Sequence, residues 1–185
     1  VDVAAATAKG MWVARVPDYC LEDVSDQALA LLLACVRKVA YKDRRVRAGA
    51  WNLTADQPCY RVAGRTLGLI GYGAIARTLH RKVSGLGLAR VLVYDPLLEP
   101  VRVRESGATP VSLEVLLEES DYISVHAPLS DQTRGLIGER ELARMKKGCL
   151  LVNTSRGPLV DERALAQALA QGRIAGAGLD VFESE

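Results

Sequence analysis

The chain contains 185 residues, of which 49% are hydrophobic and 25% are charged, and its formal net charge is +2. Such a chain is long enough for one well-packed domain, and its composition is that of a globular protein rather than a disordered one. The nearly balanced charge gives no argument for a nucleic-acid or membrane-surface partner, so neither class of partner is expected.

The apolar runs and the cysteines indicate the cellular compartment and whether a membrane span, a disulfide or a metal site is expected. The longest apolar run, residues 28–36, is too short to cross a bilayer, and no basic and apolar leader precedes it. The four cysteines, at positions 20, 35, 59 and 149, show no metal-ligand spacing. Scattered thiols of this kind are typical of a reduced cytoplasmic protein, so neither a disulfide framework nor a metal site is expected.

Residues 1–17 predict two short elements. A helix begins after Asp2 and stops at Gly10, and a strand follows from about Trp12 to Val16. One short helix and one strand cannot bury a core of their own. We therefore expect residues 1–17 to be the end of a second lobe that pairs with a part of the protein outside this chain.

The longest helical pattern extends from Leu21 to Ala48, with apolar residues on one broad face and acidic residues near its start. Its second half is strongly basic, which favours a solvated helix face over the alternative of a nucleic-acid patch. A helix of this length and apolar content also suits a dimer interface, and a homodimer is expected. Residues 49–64 have no clear period and predict a loop.

A strand, a glycine turn and a helix follow one another from residue 67 onward. The apolar run 67–70 ends in the hexapeptide GYGAIA, residues 71–76, after which apolar residues recur at helical spacing. Gly71 allows the tight turn, Gly73 lets the backbone approach a pyrophosphate, and Ala76 lets the helix pack closely on a sheet. The free N–H groups at the start of the helix would face the phosphates of a dinucleotide.

A second apolar strand, residues 91–94, ends at Asp95, so the unit runs strand, helix, strand and acid. A carboxylate at that position accepts hydrogen bonds from both hydroxyls of an adenosine ribose, whereas a 2′-phosphate would meet a like charge. The next residue is Pro96 rather than an arginine, which favours NAD over NADP. The alternative, an ordinary packing turn without a ligand, explains less of this order of elements.

Strands and helices continue to alternate after Asp95. The pattern predicts helices at 112–119, 138–145 and 161–171 and strands at 122–125, 148–153 and 174–179. This alternation predicts an α/β protein with a doubly wound parallel sheet, a Rossmann fold. Ligands of such sheets bind at the carboxyl ends of the strands. The residues that fall there are Gly71, Asp95, His126, Arg156 and Asp180.

Two charged residues in the last part of the chain are candidate catalytic groups. Arg156 follows a buried strand, and its planar guanidinium suits bidentate contact with a carboxylate or a polarised carbonyl beside the nicotinamide. The alternative is an arginine that pairs with an internal acid. Glu185 is able to orient and charge an imidazole, although a glutamate in such a position is usually only solvated.

Several longer motifs resemble those of one enzyme family. They are GYGAIA, YDP, HAPLSDQTRGLIG, the long segment from MKKGCLLVNTSRGPLVDERALAQ to DVFESE, and the opening VDVAAAT with VPDYC. All are similar to motifs of the D-isomer-specific 2-hydroxyacid dehydrogenases, which include phosphoglycerate, glycerate and D-lactate dehydrogenases and the related C-terminal-binding-protein corepressors. The resemblance covers nearly the whole chain. It implies a nucleotide domain inserted into a substrate domain, with the active site in the cleft between them.

The resemblance also implies a role for each matched residue. Arg156 matches the substrate-binding arginine, and Glu185 matches the glutamate that raises the pKa of the catalytic histidine. Asp95 matches the ribose acid, and Asp180 matches the residue that binds the nicotinamide carboxamide. The other matched cofactor positions are Gly71, Gly73, Ala74 and Ile75 in the pyrophosphate turn, Ala127, Pro128 and Thr133 in the loop under the adenosine, and Thr154 and Ser155 around the nicotinamide.

The catalytic histidine of the family lies downstream of the glutamate, and no residue of this chain matches it. His80 is expected on the polar side of the first nucleotide-binding helix, and His126 matches a position in the cofactor loop. We expect neither to be catalytic, with a reservation for His126 because it lies at the end of a strand.

The expected organisation has three parts. Residues 1–17 are the end of a substrate-domain lobe and hinge, residues 18–180 are the NAD-binding domain, and residues 181–185 begin the return to the substrate domain. For the whole protein, we predict an NAD-dependent oxidoreductase that acts on a small 2-oxo or D-2-hydroxy acid. The alternative is an NAD-binding, corepressor-like scaffold or an NAD-sensing domain without turnover. The chain alone is expected to bind NAD with little turnover, because it lacks the histidine.

Overall fold

The computed structural model describes residues 1–51, 59 and 61–185. The strands are β1 (Thr66–Ile70), β2 (Arg90–Tyr94), β3 (Thr109–Pro110), β4 (Tyr122–Val125), β5 (Leu150–Asn153) and β6 (Gly176–Leu179). They form one sheet in the order β3-β2-β1-β4-β5-β6, and every neighbouring pair is parallel. The strand order reverses between β1 and β4, which confirms the predicted doubly wound sheet.

Eight α-helices flank the strands in the described part of the chain. They are α1 (Val3–Ala8), α2 (Leu21–Arg37), α3 (Val39–Arg47), α4 (Ala74–Val83), α5 (Pro100–Glu105), α6 (Leu113–Glu119), α7 (Glu139–Arg144) and α8 (Glu162–Ala170). Side chains of α2, α4 and α5 pack with one set of strand residues, and side chains of α6, α7 and α8 pack with the other set. Because alternate strand residues point to opposite faces, the sheet is covered on both sides.

Several predicted boundaries agree with the structure because local chemistry fixes them. Asp2 caps α1 by accepting a hydrogen bond from the Ala5 N–H at 2.9 Å. Asp161 caps α8 in the same way, with the Ala164 N–H at 2.9 Å. Helices commonly begin after a short polar residue whose side chain accepts a hydrogen bond from the N–H three residues further along the chain.

The predicted strand from Trp12 to Val16 is wrong. Residues 11–16 have no regular secondary structure, and Trp12 is fully exposed. A strand forms only where a neighbour satisfies its backbone N–H and C=O groups, and no strand lies beside this segment in the described part of the chain. The apolar side chains here are therefore exposed rather than paired.

The predicted single helix from Leu21 to Ala48 is also wrong, because it is broken at Lys38. This residue ends α2 and begins α3 in the left-handed conformation, with φ 54° and ψ 39°. Left-handed residues commonly end helices, but the position is usually glycine or asparagine. Neither the residue type nor the apolar period marked the break.

Among the α-helices and strands, two elements were not predicted, α5 and the two-residue strand β3. Of the predicted loop at 49–64, residues 52–58 and 60 lie outside the described residues. Within the part of the chain that the structure describes, no helix is both long enough and apolar enough to cross a membrane.

Candidate functional site

The turn after β1 is shaped by Gly71. Its φ is 84°, in the region that favours glycine, and its N–H donates to the Tyr94 carbonyl at 2.8 Å. A Cβ built on Gly71 would lie 2.7 Å from the backbone nitrogen of Ala127. Glycine is therefore required here for two reasons, and its absent side chain lets the loop after β4 lie directly against the end of β1.

The start of α4 is open. Gly73 is its N-terminal cap residue, and no side chain accepts a hydrogen bond from the first turn, which includes Ala74 and Ile75. A Cβ built on Gly73 would meet no atom within 4 Å. The first N–H groups of a helix need acceptors, and an anionic group such as a pyrophosphate supplies them.

Asp95 is held at the end of β2 by two backbone hydrogen bonds. Its Oδ2 accepts from the Tyr72 N–H at 2.8 Å, and its Oδ1 accepts from the Leu97 N–H at 3.0 Å. The first bond joins the acid to the glycine turn. The carboxylate is partly exposed and retains acceptor capacity on both oxygens, which suits the two hydroxyls of a ribose.

The loop after β4 is braced by its own polar groups. Thr133 Oγ1 accepts from the Ser130 N–H at 2.8 Å and donates to the Pro128 carbonyl at 2.6 Å. Ala127 is buried, while Pro128 is exposed. The loop therefore has a fixed shape beside the glycine turn.

The turn after β5 is organised by Asn153, which is almost fully buried. Its Oδ1 accepts from the Ser155 N–H at 3.0 Å, and its Nδ2 donates to the Arg156 carbonyl at 2.9 Å. Ser155 Oγ donates to the Ala127 carbonyl at 2.6 Å. This last bond joins the turn after β5 to the loop after β4.

Thr154 carries a polar atom that no group of the described chain satisfies. Among the described residues, two buried side-chain oxygens lack a partner, Ser120 Oγ and Thr154 Oγ1. Ser120 lies against Gly68 within the packed layer, whereas Thr154 directly follows β5 at the carboxyl edge of the sheet. A buried hydroxyl without a partner is costly, so the Thr154 hydroxyl is a natural contact for a polar ligand at this edge.

Arg156 is exposed at the same edge. One guanidinium nitrogen donates to the Ser155 carbonyl at 2.7 Å. Within the described part of the chain, no carboxylate lies within ion-pair distance of it, in contrast to the alternative of an internal acid partner. The guanidinium keeps donors for an external carboxylate or carbonyl.

The segment that carries Glu185 passes directly over Gly157. A Cβ built on Gly157 would overlap the backbone of Phe182, so only glycine allows this crossing. Glu162 and Glu183 fasten the segment reciprocally, each side chain accepting from the other residue's N–H, at 3.2 Å and 2.6 Å. The crossing places the backbone of Phe182 and Glu183 against the residue that follows Arg156. Glu185 Oε1 here accepts from the Phe182 N–H at 2.9 Å.

Asp180 follows β6. Its N–H donates to the Asn153 carbonyl at 3.0 Å, and its Oδ1 accepts from Gln27 Nε2 at 2.7 Å. The carboxylate is exposed and lies at the carboxyl end of the sheet, one strand away from the Thr154 hydroxyl.

His126 lies between β4 and the loop. Its N–H donates to the Ile70 carbonyl at 2.7 Å, and its Nε2 is 2.9 Å from Ser124 Oγ. Burial lowers the pKa of His126 from 6.5 to about 4, so the imidazole is uncharged at neutral pH. The ring is directed back to its own strand.

The sequence predicted His80 on the polar side of α4, but the structure shows that its side chain is half-buried. Its Nδ1 is 2.6 Å from the hydroxyl of the buried Tyr72, which also donates to Ser106 Oγ at 2.7 Å. Burial lowers the pKa of His80. This cluster holds α4 and the segment after α5 together.

The residues that support the site rather than form it were not predicted from the sequence. They are Gln27, Asn153, Gly157, Glu162 and Glu183. The polar Asn153 at the end of an apolar strand was a visible signal, since a buried amide needs partners. The contacts of Gln27 and Gly157 join distant parts of the chain, and no local pattern marks them.

A sequence profile described as "D-isomer specific 2-hydroxyacid dehydrogenase, NAD binding domain" matches residues 29–185. The chain is 47% identical to a glyoxylate reductase of Korarchaeum cryptofilum, with all of this chain and 56% of the relative covered. It is 40% identical to a D-3-phosphoglycerate dehydrogenase of Mycobacterium tuberculosis, with all of this chain and 35% of the relative covered.

Solved structures show the same likeness. A D-lactate dehydrogenase from Aquifex aeolicus, solved with NAD and lactic acid, is 34% identical with a TM-score of 0.89, and the match covers all of this chain and 55% of that one. A glyoxylate reductase from Paecilomyes thermophila is 37% identical with a TM-score of 0.89, over all of this chain and 56% of that one. The chain thus spans roughly half the length of most of these relatives.

Proposed function

Because the chain belongs to the D-isomer-specific 2-hydroxyacid dehydrogenase family, as its NAD-binding domain, we propose that the whole protein transfers a hydride between NAD(H) and a 2-oxo or D-2-hydroxy acid. The observation that carries this proposal is the exposed Arg156 guanidinium at the carboxyl edge of the sheet. It has no acid partner among the described residues, and it follows the buried Thr154 hydroxyl that lacks a partner.

The residues at this edge fit a dinucleotide. The uncapped start of α4 behind Gly73 offers N–H donors for the pyrophosphate, and Asp95 offers acceptors for the ribose hydroxyls. Asp180 and the Thr154 hydroxyl offer polar contacts for the carboxamide end. We assign the remaining contacts with the dinucleotide to residues of the glycine turn, of the loop after β4 and of the turn after β5, namely Gly71, Ala74, Ile75, Ala127, Pro128, Thr133 and Ser155. When bound, NAD(H) supplies the hydride chemistry.

Arg156 would bind the carboxylate of the acid and polarise the adjacent carbonyl. Its fixed fork of N–H donors matches a carboxylate in two places at once, which orients the carbonyl as well as binding it. Glu185 would accept a hydrogen bond from an imidazole contributed by the remainder of the protein. A carboxylate beside an imidazole stabilises its charged form and raises its pKa, so that the imidazolium gives its proton to the carbonyl oxygen during reduction.

We propose a homodimer and a cytoplasmic location for the whole protein. Val39, Val46 and Trp51 are exposed along α3 and just after it, which supports an interface on this side. The four cysteines are free thiols, which supports a reducing compartment. Sedimentation equilibrium of the full-length protein tests the dimer, and a monomer at micromolar concentration would reject it.

We also propose that residues 1–17 and 181–185 belong with a second, substrate-binding domain, and that residues 18–180 form the NAD-binding domain. The exposure of Trp12, Val16 and Phe182 supports this division, because such side chains are usually covered in an assembled protein.

Oxidation of NADH by the full-length protein, with a panel of small 2-oxo acids and with NADPH in parallel, tests the proposed function. Turnover with NADH on at least one acid is expected, together with slower turnover with NADPH. Tight NADH binding without turnover on any acid would reject the enzyme and favour an NAD-binding scaffold or sensor.

A further inference from the structure

Gln27, on α2, contacts one of the proposed cofactor ligands. Its Nε2 donates to Asp180 Oδ1 at 2.7 Å, across 153 positions of sequence. In the described part of the chain, this is the one side-chain hydrogen bond that the Asp180 carboxylate accepts. Neither the family motifs nor the helical pattern assigns Gln27 a role.

The contact follows from how α2 packs on β6. A Cβ built on Gly178 would lie 2.9 Å from Leu31 Cβ, so the helix sits directly on the strand where the strand has no side chain. Gln27 is one helical turn before Leu31, and Asp180 is two residues after Gly178 on the same face of the strand. The same packing that requires Gly178 therefore places Gln27 over Asp180.

A second contact fixes this end of α2. Lys82, on α4, lies 2.6 Å from Asp26 Oδ1 and 2.7 Å from Glu22 Oε2. The residue next to Gln27 is thus tied to α4, while Leu31 is seated on β6. The position of the Gln27 amide is set by the packing of two neighbouring elements.

We propose that Gln27 is a positioning residue, which holds the Asp180 carboxylate so that its other oxygen accepts from the primary amide of the nicotinamide. This inference rests on the proposed function. A carboxylate offers two acceptor oxygens, and Gln27 donates to only one of them. Fixing one oxygen leaves Oδ2 oriented for a second N–H donor, and less side-chain freedom is lost when the ligand binds.

The test compares two reduced dinucleotides that differ only at this amide. Dissociation constants of NADH and of its acetylpyridine analogue, in which a methyl ketone replaces the carboxamide, are measured with the full-length protein. The variants are Gln27→Ala and the isosteric Gln27→Glu, which removes the donor. Gln167→Ala, an exposed glutamine on α8, is the matched control.

Because the bond between Gln27 and Asp180 is exposed and acts on NADH only through Asp180, Gln27→Ala should weaken NADH binding about three- to tenfold. Gln27→Glu should weaken it further, because two carboxylates would then face each other. The dissociation constant of the acetylpyridine analogue should stay within about twofold of its value for the unmodified protein, because its methyl ketone has no N–H that could donate to Asp180. In an Asp180→Ala background, Gln27→Ala should have no additional effect on NADH.

Equal weakening of both dinucleotides would show that Gln27 supports the fold rather than the Asp180 contact, and would overturn the inference. No change in either dissociation constant would overturn it as well, while the proposed function would stand. If the unmodified protein binds neither dinucleotide, the proposed function fails and the inference fails with it.

Discussion

The two edges of the sheet treat charge in opposite ways. At the amino edge, Asp121 accepts from the Thr66 N–H at 2.9 Å and lies 3.4 Å from both Arg65 and Lys146. At the carboxyl edge, Arg156 is exposed, and no described carboxylate lies within ion-pair distance. The same strands, β1, β4 and β5, connect the two edges.

This contrast separates the charges that stabilise the folded domain from the charge that is available to a ligand. A charge paired within the chain contributes to folding and has little left for a ligand, whereas an unpaired charge at a strand end is available to one. Substitutions of charged side chains at the carboxyl edge should therefore affect ligand binding, and substitutions of charged side chains at the amino edge should affect unfolding alone.

Gly157→Ala should have the largest effect, because the new methyl group would overlap the Phe182 backbone. We expect a loss of about 3 kcal/mol in the free energy of unfolding, together with loss of turnover. Urea denaturation and NADH oxidation of the full-length protein measure both. Gly85→Ala is the control, since a Cβ there meets no atom within 4 Å. Wild-type stability of Gly157→Ala would contradict the crossing described above.

Arg156→Lys should lower kcat/KM for the 2-oxo acid about a hundredfold, because an ammonium cannot make the two parallel hydrogen bonds of a guanidinium. The dissociation constant of NADH should change little. The control is Arg163→Lys on the exposed face of α8. Near-normal turnover in the variant would remove Arg156 from the substrate site.

His126 should make the fold sensitive to acid. Its folded pKa is about 4 and its ordinary value is 6.5, so below pH 6.5 the unfolded chain binds a proton that the folded chain does not. Stability should therefore fall as pH decreases, by about 2 kcal/mol between pH 7.5 and pH 5. Urea denaturation at the two pH values should show a smaller decrease in His126→Asn. An equal decrease would show that the imidazole titrates normally.

Asp95→Ala should narrow the preference for NADH over NADPH about tenfold, because it removes two acceptors for the ribose and the repulsion of a 2′-phosphate. The ratio of the two kcat/KM values measures this, with Glu105→Ala on α5 as a control of equal charge change. An unchanged ratio would show that the cofactor preference has another source.

Asp121→Asn should have the smallest effect and one confined to folding. The carboxylate accepts a hydrogen bond from the Thr66 N–H and faces two cations, and its replacement by a neutral amide should lower the free energy of unfolding by about 1 kcal/mol. The dissociation constant of NADH should not move. A change in NADH binding would contradict the separation of the two edges.

The sheet could be predicted from the sequence because its signals are local. The apolar run at residues 122–125 is a buried strand with the predicted bounds. Asp161 was predicted to cap α8 because a short acidic residue directly precedes a helical pattern, and the structure shows it in that role. The glycine turn and Asp95 were equally visible, since each residue type has its own reason to be there.

The rest depended on contacts between distant residues. No glycine marks the break between α2 and α3 at Lys38, and the apolar period continues on both sides of it. The strand at 12–16 was predicted from apolar residues alone, but strands also need a neighbour. In the same way, nothing near Gln27 in sequence indicates Asp180, because their contact depends on how closely α2 packs at Gly178.

The hydrogen bond from Ser155 Oγ to the Ala127 carbonyl has a thermodynamic consequence. It makes the loop proposed to lie under the adenosine and the turn that carries Arg156 parts of one polar network. Coupling between two ligands is reciprocal, so any factor by which the dinucleotide tightens the acid is also the factor by which the acid tightens the dinucleotide. The bond between Ser155 and Ala127 is thus a contact through which binding of the dinucleotide and binding of the acid would be coupled.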